Sequence, residues 1–232
     1  MTNSIYTLPQ PYNEPVKSYA PGSPEREALS AELARQMGTR VQVPVVINGQ
    51  AVITEDKRDI VCPHDHGHVL GQVHMAGEDQ IQDAVNAALA AKPDWEAMDW
   101  QERAAIFLKA ADLISEKYTY KLNAATMLGQ SKNVFQAEID STCELADFLR
   151  FNVKFMEEIY SNQPRSEKGV WNRLEYRPLE GFIFALSPFN FTAIAGNLCT
   201  APAMMGNTIV WKPATTAVLS GYFIMEILKE AG

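Results

Sequence analysis

The chain has 232 residues, of which 47% are hydrophobic and 21% charged, with a formal net charge of −8. This composition excludes a mainly disordered chain, and an acidic balance without any Lys/Arg-rich run leaves nothing to neutralise a nucleic-acid backbone. Three widely separated cysteines, Cys62, Cys143 and Cys199, do not suit a disulfide framework and point to a reducing compartment, and no apolar run is long enough to span a bilayer.

The opening stretch, "LPQPYNEPVKSYAPGSPE", is expected to run extended, because each proline biases its predecessor toward β or polyproline conformation. It carries Glu14 and no arginine, so it resembles neither a signal peptide nor an Arg-rich transit peptide. Ser23 and Pro24 read as N-cap and first helical position of a helix that Gly38 ends. "VQVPVVINGQAV" alternates around Asn48-Gly49, the signature of a type I′ hairpin. "DIVC" and "HVLGQV" then predict strands flanking a "PHDHG" turn. This stretch gathers Cys62, His64, His66 and His68, with His74 just beyond, and so raises the question of a metal. A zinc site wants paired ligands on two elements, and no second pair occurs downstream. The expectation is an exposed turn without metal, with His68 and His74 on strand faces.

From Glu78 the pattern turns helical, with Ile81, Ala84, Val85, Ala88 and Leu89 forming one stripe. Asp99 with Glu102 has the form of a capping box opening a second helix through Lys117. A third helix is predicted near Tyr118 to Gln130, and a fourth from about Val134 to Tyr160. On the fourth, Phe148, Phe151, Phe155 and Ile159 line one face, with Glu144 one step back along it. Two readings are open for Glu144: an acid at the edge of the buried face that reaches water, or a carboxylate in a partly desolvated site.

The polar segment 161–180 shows strand character at Leu174 to Tyr176. "GFIFALSP" follows as a continuous apolar run of the kind buried on both faces of a parallel sheet. An apolar helix comes next, kinked or ended by Pro202, then a second buried strand, "NTIVWKP", and a helix with Ile224, Ile227 and Leu228 on its face. This β-α-β-α order is the start of a doubly wound nucleotide-binding sheet, although no G-x-G-x-x-G follows either strand. The predicted fold class is therefore α/β, with an arm and helix over 1–40, hairpins and helices over 41–160, a strand segment over 161–180 and the first βαβα of the sheet over 181–232. Because two strands cannot complete such a sheet, the chain reads as the N-terminal part of something longer.

"ALSPFNFTAIAGNLCTAPAMMGNTIVWKPA" resembles the aldehyde dehydrogenases, in which one nucleotide-domain strand ends in Pro-aromatic-Asn and the next in Lys-Pro-Ala/Ser. With "AEIDSTCELADFLRFN" and "NEPV…GSPERE", the stretch from Asn13 to Gly232 resembles the delta-1-pyrroline-5-carboxylate dehydrogenases within that family. The resemblance implies an NAD-dependent oxidoreductase acting on a small molecule, L-glutamate gamma-semialdehyde, in proline breakdown. It implies no nucleic-acid or membrane partner and a homo-oligomer to which 161–180 contributes an arm. The compartment would be the cytoplasm in a prokaryote and the mitochondrial matrix in a eukaryote.

Residue by residue, the resemblance makes Asn190 the oxyanion donor, with a helix cap as its alternative role. Lys212 becomes the lysine that bonds the adenosine ribose, with a solvent-facing strand-end lysine as the alternative. Ser187, Pro188, Phe189 and Pro213 match cofactor-contacting positions, Phe191 would wall the substrate pocket, and Glu144 falls where the subfamily has an acid near the aldehyde. Thr215 departs from a glutamate common in the wider superfamily, which leaves NAD against NADP open. Cys199, inside an apolar helix, is not expected to be the nucleophile. The family's reactive cysteine and general-base glutamate come later in its chain, so these residues alone are expected to be inactive. The competing reading is a non-catalytic binding or interaction module, or an aldehyde dehydrogenase of another substrate class.

Overall fold

The structure, a computed structural model, describes residues 7–232, so the first six residues of the expected arm lie outside the described residues. From Thr7 the arm is extended, as its prolines require, and an extended chain cannot satisfy its own N–H groups. Carboxylates from a distant helical segment do so instead. Leu8 N donates to Glu157 (2.8 Å), Glu14 N to Asp147 (2.7 Å) and Lys17 N to Glu138 (3.1 Å), while Arg150 pairs with Glu14 at 2.7 Å. Helix α1, Pro24–Met37, begins as the sequence indicates, with the Ser23 hydroxyl accepting from Arg26 N and Gly38 at its C-cap.

Strand β1 (Val41–Val43) is separated by Pro44 from β2 (Val45–Ile47), and the two enter different sheets. β2 forms a hairpin with β3 (Gln50–Val52), and Asn48 and Gly49 have φ of 49° and 72°, the left-handed pair a type I′ turn needs. β4 (Lys57–Cys62) and β5 (Asp65–His74) are antiparallel, and β1 adds to β5 in parallel register, Val41 beside Gly71. That approach requires glycine, since a Cβ on Gly71 would lie 2.1 Å from the Val41 carbonyl oxygen. The turn is tighter than "PHDHG" suggested: only Pro63 and His64 form it, and His66 and Gly67 already belong to β5.

Six helical segments follow: α2 (Glu78–Ala97), α3 (Trp100–Ser115), α4 (Thr119–Gln130), α5 (Val134–Ala137), a π-helical turn (Glu138–Glu144) and α6 (Leu145–Ser161). α2 forms where its stripe predicts a helix, with Ile81 and Leu89 of that stripe exposed. Two expectations need correction here. Asp99 precedes α3 but its side chain makes no cap bond, leaving Glu102 N to the Asp99 carbonyl. The predicted fourth helix is interrupted by the π-turn, and its buried face is Leu145, Leu149, Val153 and Met156, not the aromatic stripe, on which Phe155 and Ile159 are exposed. Two apolar stripes at helical spacing compete within α6, and the one that meets the core is the aliphatic one.

Residues 162–180 contain no strand; the Leu174–Tyr176 expectation fails because that stretch has no partner strand, and Leu174 N is bonded by the Gln163 side chain (2.8 Å). β6 (Ile183–Leu186), α7 (Thr192–Met204), β7 (Ile209–Lys212), a 3₁₀ turn (Thr215–Ala217) and α8 (Val218–Ala231) complete the chain, with β6 and β7 parallel. β6 is not buried on both faces. Phe184 and Leu186 are 58% and 60% exposed, while Ala185 between them, on the other face, is buried. The main core lies between the helices, joining Phe107, Ile114, Leu122, Leu149, Met156, Ile224 and Ile227. No helix among the described residues is long and apolar enough to cross a membrane.

Candidate functional site

The parallel register sets Leu186 beside Lys212, so β6 and β7 end together on one edge, the place where open α/β sheets bind ligands. From β6 the chain runs through Ser187, Pro188, Phe189 and Asn190 into α7; from β7 it runs through Pro213 into the 3₁₀ turn and α8. Gly221 lets α8 close on this edge, because a Cβ there would already touch Pro213 at 3.3 Å. Ser187 is buried, and its hydroxyl accepts from the Trp211 indole N–H (2.7 Å), which ties the two strand ends together. Lys212 is exposed, and its ammonium makes no bond among the described residues. A free cation beside two strand ends and an exposed Phe189 fit a ligand with hydroxyl groups, as the ribose of a dinucleotide has.

Asn190 is exposed at the mouth of the β6–α7 turn, and its side chain makes no bond among the described residues. The alternative role of helix cap is not what the geometry contains: Phe191 occupies the N-cap of α7, and the cap is supplied from another element. The buried carboxylate of Asp140, in the π-turn, accepts from Thr192 N (3.1 Å) and Ala193 N (3.0 Å). The same carboxylate pairs with Lys132 at 2.6 Å, and the Lys132 ammonium also donates to the Asn190 carbonyl at 2.5 Å and stands 4.2 Å from the centroid of the Phe191 ring. Thr192 is held further by Gln130 (2.7 Å) and Ser220 (3.0 Å).

Glu144 closes the π-turn four residues after Asp140, half-buried. Burial pushes its carboxyl above the ordinary value, Asp140 adds to the rise, Lys132 opposes it and Asp147 adds again. Glu144, Asn190 and Phe191 thus share a neighbourhood around Lys132, while Ser187 and Lys212 stand at the strand ends. Neither Lys132 nor Asp140 was singled out from sequence. The available signal was spacing: Asp140 stands at i−4 from Glu144, on the same stripe.

None of the cysteines sits as a nucleophile in this arrangement. Cys199 and Cys143 are buried, and burial pushes both thiols up to about 12. Cys62 is also buried, with its sulfur 3.2 Å from His64 Nε2, and the His64 Nδ1 lies 2.8 Å from the Ser131 hydroxyl. His74 is buried against Thr54, and no three potential ligands come together among the described residues.

Residues 52–232 match the aldehyde dehydrogenase family. The delta-1-pyrroline-5-carboxylate dehydrogenase of Agaricus bisporus is 55% identical over 231 residues, which are 99% of this chain and 42% of that protein. The human mitochondrial delta-1-pyrroline-5-carboxylate dehydrogenase is 46% identical over 220 residues, 95% of this chain and 39% of that one. The crystal structure of the delta-pyrroline-5-carboxylate dehydrogenase from Mycobacterium tuberculosis bound with NAD aligns with a TM-score of 0.98 at 51% identity, covering 100% of this chain and 43% of that one. The chain therefore spans about two fifths of the length of the relatives it matches.

Proposed function

The chain belongs to the aldehyde dehydrogenase family, and from that premise we propose that the protein oxidises L-glutamate gamma-semialdehyde, the open form of 1-pyrroline-5-carboxylate, to L-glutamate with NAD in proline catabolism. The observation that carries this reading is the 51% identity at a TM-score of 0.98 over the whole chain to the M. tuberculosis enzyme. When bound, NAD supplies the hydride acceptor. The residues of this chain bind and orient. Lys212 donates to ribose hydroxyls, and Ser187, Pro188, Phe189 and Pro213 shape the strand-end bed beside it. The free Asn190 amide donates to the former carbonyl oxygen as negative charge develops there, which stabilises the transition state more than the aldehyde. Phe191 walls the aldehyde pocket, and Glu144 presents its carboxyl at the same end. The attacking thiolate and the general base are assigned to residues outside these 232, because the cysteines here are buried in helices and a strand.

The segment 161–180 is proposed as an oligomerisation arm, supported by Trp171, 82% exposed, with Leu174 and Leu179 also uncovered. Several eukaryotic relatives, the human one among them, are named mitochondrial, which supports a mitochondrial location for a eukaryotic source; for a prokaryotic source the cytoplasm is the proposal. The test is a steady-state assay of the whole protein with L-glutamate gamma-semialdehyde beside simple aliphatic aldehydes. Preference for the semialdehyde is expected; preference for the simple aldehydes would retire the substrate assignment.

A further inference from the structure

We propose that Lys132 and Asp140 are a positioning pair that fixes Asn190 and Phe191 for the reaction, an inference that rests on the functional reading above. Helix N-termini are ordinarily capped by the residue that precedes them, and Asn is among the best residues for the task. Here the preceding residue is Phe191, whose ring can accept no such bond, and Asp140, on a different element, takes Thr192 N and Ala193 N instead. Asn190, one residue before that cap, carries no capping bond, and its side chain is free to face a ligand.

Freedom alone would leave Asn190 loose, on an exposed turn with no bond from its own amide. Lys132 removes that freedom by donating to the backbone carbonyl of Asn190 (2.5 Å), so that the residue is held by its main chain while its side chain stays available. The same ammonium lies over the Phe191 ring at 4.2 Å, within cation–π range, and so constrains the next residue as well. Lys132 can reach all three groups because Ser131 ends α4 in the left-handed conformation, φ 54°, which turns the chain sharply just before it. The pair is shielded from solvent, with side-chain exposures of 16% and 3%, so its geometry is not loosened by hydration as a surface pair would be. A donor to a developing oxyanion works only within a fraction of an ångström of its productive place, and a misplacement of about 1 Å costs on the order of 100-fold.

The experiment uses the whole enzyme and four variants: Lys132→Met, Lys132→Arg, Asn190→Ala, and Lys132→Met combined with Asn190→Ala. Thermal midpoints are measured alongside kcat and the KM for NAD. Lys132→Met should lower kcat by roughly 10- to 100-fold and leave the KM for NAD within about a factor of two, because the pair bonds to neither strand end. Lys132→Arg, a cation still able to bridge Asp140 and the Asn190 carbonyl, should recover most of the rate. The combined variant should be at most about 3-fold slower than Asn190→Ala alone, because Asn190 is then gone and only the constraint on Phe191 is left to lose. A Lys132→Met enzyme as fast as wild type beside an impaired Asn190→Ala, or losses that multiply in the combined variant, would overturn the proposal alone. A wild-type enzyme inactive on the semialdehyde, or a fully active Asn190→Ala, would overturn the functional reading and the proposal with it. Should Lys132→Met fail to fold, Asp140→Asn, which keeps the shape and removes the charge, is put through the same comparison with the same deciding outcomes.

Discussion

Asn123 lies fully buried where the arm, α4 and the π-turn meet, and its truncation has a calculable cost. Its amide donates to Glu138 Oε2 at 2.7 Å and to the Tyr19 hydroxyl at 2.9 Å, and its carbonyl accepts from Ser141 at 2.5 Å and Thr142 at 2.9 Å. In Asn123→Ala, Ser141 keeps the Ala137 carbonyl at 2.7 Å and Tyr19 keeps Glu138 at 2.5 Å, so neither is orphaned. Glu138 loses a charge-assisted bond, worth about 1.5–3 kcal/mol. Thr142 is left with a 3.5 Å contact to the Thr119 carbonyl, too long to replace what it had, which adds about 1 kcal/mol. The small void adds roughly 1 kcal/mol more. The total is about 3.5–5 kcal/mol. Differential scanning calorimetry on the whole protein measures it. Ser141→Ala is the control, since Asn123 then still accepts from Thr142, and should cost no more than about 1 kcal/mol. A loss below about 1 kcal/mol for Asn123→Ala would refute the claim that this network holds the π-turn.

Asn190→Ala should cost on the order of 100-fold in kcat with less effect on NAD affinity, because the lost bond matters chiefly once the oxyanion forms; a variant that is merely less stable would remove the catalytic role. Lys212→Ala should do the reverse, raising the KM for NAD with kcat closer to normal, and unchanged NAD binding by titration would make Lys212 a bystander. Since the Glu144 carboxyl is raised in the folded state, its contribution to stability is present below the ordinary carboxylate range and is lost as pH rises through the raised value. Glu144→Gln should therefore be neutral or stabilising near pH 7, with the gain vanishing in acid, while turnover falls; a variant less stable at pH 7 than at pH 4 relative to wild type would contradict the sign. Gly71→Ala, whose Cβ meets the Val41 carbonyl oxygen at 2.1 Å, should detach β1, which hydrogen exchange reads as lost protection at residues 41–43.

What could be read from the sequence was whatever is decided locally. Ser23-Pro24, Gly38 and Asn48-Gly49 set their own caps and turn, and the βαβα order follows from two apolar runs alternating with helical periods. What escaped was decided by neighbours distant in the chain. Whether Phe184 and Leu186 are covered depends on a layer that the strand itself does not encode, and Leu174–Tyr176 needs a partner strand to be a strand. The π-turn is a change of register that no 3.6-residue period reports, and within α6 two apolar stripes share the same spacing, so that only the packed neighbours decide which is buried. Glu144 and Asn190 were named through resemblance, whereas Lys132 and Asp140 emerge only when α4, the π-turn and the β6–α7 turn are seen together.

The arm imposes an order on synthesis. Its N–H groups find their acceptors 121, 133 and 149 residues further along, at Glu138, Asp147 and Glu157. At a translation rate of about 5–20 residues per second, the earliest part of the chain waits on the order of ten seconds before its partners have left the ribosome. During that interval its prolines keep it extended without partners, because polyproline conformation satisfies the backbone with water. Proline here suits the waiting as much as the docked state: it hinders helix formation that would compete with docking and lowers the entropy lost when α6 arrives.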